Sequence, residues 1–202
     1  MLEQLKSSKK KKKKQEMKNK IGLPKKVKIG KKHIYEATQF VQEIITDAET
    51  YGYDTVNERQ KLLEMAQAGD KSAIAKVKTI IAEILDCYSV NVEGYTKEEA
   101  VAEIFSYAWG LDILEDFYND EKIDEIRVNS PDQVFIQRRG KNERTKVKFK
   151  DEEHVKKIAS RLFVHDRGVA LTSSTPVVES VRLDGVRVTA TYPLPQPAVL
   201  LC

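Results

Sequence analysis

The sequence predicts an α+β fold, with an N-terminal helical domain followed by an antiparallel β-sheet carrying a packed helix. Two observations give the class. Apolar residues recur at three- and four-residue steps from Ile34 to Ala108, then at two-residue steps from Ile123. A third gives the sheet its direction: Asp184-Gly185 joins two apolar-alternating runs, the strongest short hairpin signal.

In the helical part, Ile34, Ala37, Val41, Ile44 and Ile45 mark a first helix. Val56–Ala68 reads as a second, ended by Gly69. Asp70 caps a third, whose stripe is Ile74, Val77, Ile80, Ile81, Ile84 and Leu85. Thr96 with Glu99 is a capping box opening a fourth, which carries Val101, Ile104, Phe105 and Ala108 and stops at Gly110. These apolar positions read as core.

In the second part, Ile123–Val128 and Val134–Ile136 are short β runs around the turn residues Asn129–Asp132. Gly140 turns the chain into a third run, Thr145–Phe149. Asp151 caps a helix with Val155, Ile158, Ala159, Leu162 and Phe163 on one face, ended by Gly168. Pro176–Leu183 and Val186–Tyr192 complete a β-β-β-α-β-β order. The expected organisation is a Lys-rich tail over 1–32, a helical domain over 33–109, an α+β domain over 110–192 and an extended Pro-rich end over 193–202.

Charge is unevenly placed. Of 35 basic and 31 acidic residues, 14 and two fall in residues 1–32, leaving +12 there and −8 on the rest. The run Lys9–Lys14 cannot bury itself and predicts disorder. Its partner is open among solvent alone, an anionic membrane surface and a nucleic acid. The acidic body argues against a nucleic-acid-binding domain. Two cysteines, Cys87 and Cys202, make no disulfide framework, and the expected compartment is reducing and cytosolic.

For chemistry, the last hairpin stands out. A two-residue turn at Asp184-Gly185 pairs Arg182 with Arg187 on one face and sends Val181, Leu183, Val186 and Val188 to the core. Like charges directly opposite cost up to about 1 kcal/mol. An anion held between two arginine forks reverses that sign. On spacing alone, solvation of both guanidiniums, or a diagonal contact from Glu179 to one of them, is the simpler explanation of the pair.

Other arrangements carry less. Ser173, Ser174, His165 and Asp166 supply triad residue types without a Gly-x-Ser-x-Gly elbow. His33, His154, His165 and Cys87 lack metal-ligand spacing. Cys87 and Trp109 read as packing, and Glu115, Asp116, Asp120 and Glu121 as a solvated face. No P-loop is present: Gly69-Asp-Lys-Ser72 lacks the Gly-Lys order, so this chain is not expected to hydrolyse ATP by itself.

The stretches Gly110–Phe117, Ile123–Asp132 and Val134–Lys141, with Pro176–Glu179 and Asp184–Val188, resemble the N-terminal region of type II/IV secretion ATPases of the CpaF kind, which power tight-adherence (Flp) pilus assembly. The resemblance covers about residues 110–191. It implies a PAS-like domain preceding a RecA-like motor domain that holds ATP and Mg2+. It implies six chains in a ring on the cytoplasmic face of the inner membrane, in contact with pilus or secretion proteins there. It also implies that arginines of the N-terminal domain reach the nucleotide phosphates. Arg187 falls on the family's arginine after the Asp-Gly turn. The family's upstream arginine falls on Val181 without a gap, one residue from the Arg182 that the expected register favours. The motor is missing from the sequence, so the expectation is a non-catalytic N-terminal portion of such an ATPase. The alternative is a stand-alone PAS-like interaction module tethered by its lysines.

Overall fold

A computed structural model describes residues 30–48, 53–164, 172, 174–191 and 198–201. The Lys9–Lys14 run, Gly168 and the three alternating prolines from Pro193 lie outside the described residues. The fold is α+β with an N-terminal helical part. The chain forms two compact units that do not follow chain order: Met1–Lys61 with Thr79–Ile104, and Leu62–Lys78 with Phe105–Cys202.

The first unit starts with β1 (Lys31–Lys32), which pairs in parallel with β2 (Asn91–Val92). Its two lysines were expected to belong to the tail. Helix α1 spans Ile34–Thr46 and buries Ile34, Ala37, Val41 and Ile45 of the expected stripe, with Ile44 half-buried. Helices α2 (Tyr53–Gln67) and α3 (Lys71–Tyr88) follow, of which the stretch Leu62–Lys78 belongs to the second unit. Both expected caps in this stretch form. Asp70 Oδ1 accepts the Ala73 N–H at 2.7 Å, and Thr96 and Glu99 exchange bonds of 2.8 and 3.3 Å. The second cap opens α4 (Lys97–Ala108). A cavity of about 280 Å3 lies here, lined by Leu85, Ser89, Val92, Tyr95 and Ala100, with Lys97 at its wall ion-paired to Asp86 at 2.8 Å. No described helix is long and apolar enough to cross a membrane.

The second unit is built on a sheet. After a 3-10 turn (Asp112–Leu114) and the short α5 (Glu115–Tyr118) come β3 (Ile123–Ser130), β4 (Gln133–Arg138) and β5 (Lys141–Arg144). Helix α6 (Glu152–Leu162) precedes β6 (Val177–Val181), β7 (Arg187–Thr191) and β8 (Ala198–Leu201). Strand order is β5-β4-β3-β8-β7-β6 and every pairing is antiparallel. One core cluster unites Ile126, Val128, Val134, Ile136, Val178, Val188 and Ala190 of the sheet with Val155, Ile158, Ala159 and Leu162 of α6. Burying each such side chain stabilises by about 1.5–3 kcal/mol relative to exposure. Asp151 caps α6 as expected, accepting the His154 N–H at 2.8 Å.

One expectation fails, and one strand was not expected. The third strand is Lys141–Arg144 rather than Thr145–Phe149, because Arg139 and Gly140 both take positive φ (51° and 74°) and close a two-residue hairpin immediately before Lys141. The extended end after the prolines supplies a strand of the sheet. Ala198–Leu201 inserts between β3 and β7, joining two hairpins that the sequence left unconnected. Its central pairing is a long-range event that local pattern does not encode.

Candidate functional site

The β6–β7 hairpin was the expected site, and its register differs from the expectation by one residue. Val181 pairs with Arg187, Ser180 with Val188 and Val178 with Ala190. The Arg182 N–H donates to Val186 O and the Gly185 N–H to Arg182 O, both at 2.9 Å, so the loop has three residues, Leu183-Asp184-Gly185. Gly185 alone takes positive φ (89°), whereas a two-residue type I′ turn needs it at Asp184 as well. A one-residue slip exchanges the faces. Val181 and Leu183, expected in the core, are 59% and 55% exposed; Val188 is buried. Arg182 and Arg187 therefore do not stand side by side.

Their surroundings differ sharply. Arg182 is only 5% exposed. Its Nε–H donates to the Tyr118 hydroxyl at 2.9 Å, and that hydroxyl donates to Asp184 Oδ2. Arg182 Nε lies 3.5 Å from the same carboxylate oxygen, and its guanidinium carbon 5.3 Å from the Tyr118 ring centre, within cation–π range. A phenol between a cation and an anion accepts from one and donates to the other, so both charges are hydrogen-bonded out of water. Burial raises the Tyr118 hydroxyl pKa well above that of a free phenol. The Arg182 charge opposes the rise, and the Asp184 carboxylate, as acceptor and as charge, adds to it.

The cluster ties the hairpin tip to the end of α2. That helix closes in a Schellman turn: the Gly69 N–H donates to Ala66 O at 3.1 Å and the Asp70 N–H to Met65 O at 3.0 Å, with Gly69 at φ 96°. Beyond these, the Ala68 carbonyl accepts the Leu183 N–H from the hairpin at 2.9 Å. A Cβ on Gly69 would lie 2.3 Å from Asp184 Oδ2. Only glycine lets the carboxylate approach there.

Arg187 occupies the opposite situation. It is exposed on the outer face of the hairpin, and no hydrogen bond or ion pair forms to it among the described residues. It is a cation left available beside a tip that is clamped.

A second buried arginine holds the neighbouring chain. Arg161, 6% exposed on α6, donates to Tyr107 O at 2.8 Å and Ser106 O at 3.5 Å in the last turn of α4, and to Gly110 O just beyond it at 2.8 Å. Burial lowers its pKa, opposed by Asp112 and Glu115. Glu115 in turn accepts the Leu111 N–H at 2.7 Å, and Asp120 pairs with Arg138 at 2.9 Å. These two carboxylates, expected as a solvated face, hold local structure; Asp116 and Glu121 are exposed. The backbone N–H of Lys122 and the Arg138 guanidinium keep the Asp120 carboxyl below its usual range.

Of the triad residue types, Ser174 is exposed and hydrogen-bonds Thr172 at 2.9 Å, while Ser173, His165 and Asp166 lie outside the described residues. His154 Nε2 lies 3.0 Å from Asp112 Oδ2, and its Nδ1 accepts the Lys150 N–H at 3.4 Å. Among the described residues no group of three or more His, Cys, Asp or Glu side chains is placed to hold a metal ion. Sequence reasoning missed Tyr118 and the role of Gly69; the carboxylate of Asp184 was visible only as a turn residue.

No family model matches the sequence, and no curated protein matches it. Among solved structures, the chain is similar to the VirB11 ATPase from the Brucella suis type IV secretion system in complex with sulphate, at 24% identity and a TM-score of 0.40. The match covers 44% of this chain and spans 27% of the length of that one.

Proposed function

We propose that this chain is the non-catalytic N-terminal portion of a secretion or pilus-assembly ATPase of the CpaF kind. Its β-sheet unit closes over ATP gripped by a RecA-like domain, and Arg187 reaches the phosphates. One observation supports this above the others: Arg187 is exposed and uncommitted, on a hairpin whose tip is held by Arg182, Tyr118, Asp184 and Ala68. The residue resemblance over 110–191 supports the assignment to that class. Arg182 serves the clamp and not the phosphate in this reading, because its charge is already neutralised by Asp184.

The mechanism is a population shift. A triphosphate held jointly by the motor's P-loop and by Arg187 binds the closed state better than the open one, and hydrolysis removes the difference. A hydrogen bond to a charged group is worth about 1.5–3 kcal/mol, which bounds what Arg187 contributes. Mg2+ would be held by the motor domain together with the phosphates. The same reading has like subunits in a ring, pilus or secretion proteins as further partners, and a location at the cytoplasmic face of the inner membrane. There Lys9–Lys14 would add about 1 kcal/mol per lysine against anionic lipid.

The test is complementation. Mixed with the separately expressed RecA-like half of a CpaF-kind ATPase, the chain should restore ATP hydrolysis, and Arg187→Ala should restore less than a tenth of it. Equal activity from both versions removes the arginine's role, and no restoration by either removes the assignment.

A further inference from the structure

The sheet has a second edge, far from the hairpin in strand order. Strand β5 is the terminal strand, and among the described residues no strand lies beyond it. All four of its residues are exposed. Arg138 and Lys141 close the two-residue hairpin, and the Thr145 N–H donates to Val134 O at 2.9 Å. In an antiparallel ladder hydrogen-bonded pairs alternate, so Lys141, Glu143 and Thr145 point their backbone groups at β4. The N–H and C=O groups of Asn142 and Arg144 therefore point outward.

This edge is strongly basic. Residues 138–150 hold seven basic side chains and one acidic, Glu143, whereas the rest of residues 33–202 carries a net charge of −14. Arg138 is spent on Asp120 at 2.9 Å, and Arg144 Nη2 donates to Asp132 O at 3.2 Å. Arg139, Lys141, Lys146 and Lys150 are exposed, and their side chains make no hydrogen bond or ion pair among the described residues; Lys148, also exposed, lies within the field of Asp132. Val147 and Phe149 turn inward between the last three lysines, which fixes the ammoniums on the outside.

We propose that β5 is a docking edge for an acidic extended peptide of a partner protein, which adds as a further strand and pairs its carboxylates with the flanking lysines. Lysines at an edge repel a second copy of that edge, which protects against aggregation. The same charge attracts an acidic strand, so charge complementarity selects this occupant over self-pairing. A nucleic acid or a lipid surface would use the ammoniums alone and leave the outward groups of Asn142 and Arg144 unused. An extended peptide satisfies both sets.

The experiment is backbone hydrogen exchange on the full chain, read at Asn142 and Arg144, with a ten-residue peptide of alternating Glu and Thr. This readout is blind to peptide held by the Lys9–Lys14 run. Strand addition should slow exchange at those two amides at least tenfold. Methylating the peptide's alternate backbone nitrogens should abolish the slowing, as should Lys146→Glu with Lys148→Glu and Lys150→Glu, all at exposed positions that leave the core intact. Unchanged exchange with the peptide overturns the proposal. So does equal slowing by the methylated peptide, by a single-stranded oligonucleotide or by phosphatidylserine vesicles, and so does slowing that persists in the triple variant.

Discussion

The Tyr118 hydroxyl stands between Arg182 and Asp184, accepting from the guanidinium at 2.9 Å and donating to the carboxylate. It converts an ion pair of 3.5 Å separation into a relay of two hydrogen bonds inside the protein. Removing only the oxygen, by Tyr118→Phe, keeps the ring under the guanidinium and leaves two buried charged groups short of a partner. The expected loss is about 1–3 kcal/mol, or a fall in Tm of roughly 2–4 °C for each kcal/mol. Thermal unfolding at neutral pH measures it.

The same hydroxyl predicts a pH dependence. Its folded-state pKa is raised above the ordinary 10.0, so above pH 10 the folded protein holds a proton that the unfolded chain releases. Stability from this group is fully present below that pH and falls as pH rises through it. Between pH 10 and 11.5 the wild type should lose more stability than Tyr118→Phe, which lacks the titrating group. Parallel urea titrations of the two proteins check the difference, and equal slopes contradict it.

Gly69 and Gly185 separate backbone strain from steric contact. Both take positive φ, at 96° and 89°, but a Cβ meets Asp184 only at Gly69. Gly185→Ala should cost about 1 kcal/mol from conformation alone. Gly69→Ala adds displacement of the Asp184 carboxylate from its relay, and should cost about 1–3 kcal/mol more. Urea unfolding of both variants compares them; equal losses mean the contact at Gly69 is relieved without consequence.

Arg161 should not tolerate a conservative replacement. Its planar fork reaches three carbonyls at once, Ser106, Tyr107 and Gly110. A lysine ammonium is a point donor and leaves part of this set open. Both Arg161→Met and Arg161→Lys should lose about 2–4 kcal/mol, with Lys no better than Met by more than about 1 kcal/mol. Full rescue by lysine would show that charge, and not the fork, is what the carbonyls need.

The two hairpin arginines should separate cleanly. Arg187→Ala removes an exposed side chain and should change stability by no more than about 0.5 kcal/mol. Arg182→Ala strips Asp184 of its buried counter-charge and should lose about 3–5 kcal/mol. Measured Tm values for the pair, beside the complementation assay, distinguish a clamp residue from a contact residue.

Much of the fold was readable in the chain because it is local. The stripe of α1, the caps at Asp70, Thr96 and Asp151, and the change of period at Ile123 all act within a few residues of themselves, where spacing and side-chain chemistry suffice. The exposure of Arg187 was legible too, since it follows from its place on an alternating strand. What the chain alone left undecided were events between distant residues. The insertion of Ala198–Leu201 between β3 and β7, the meeting of Tyr118 with Arg182 and Asp184, and the seat at Gly69 join positions tens of residues apart. The hairpin register belongs with them. Asp184-Gly185 permits a two- or a three-residue loop on local grounds, and burial of the Arg182 charge beside the Asp184 carboxylate and the phenol of Tyr118 favours the longer one. Local chemistry sets which elements form; desolvation, which depends on what else is near, sets which side chains they turn inward.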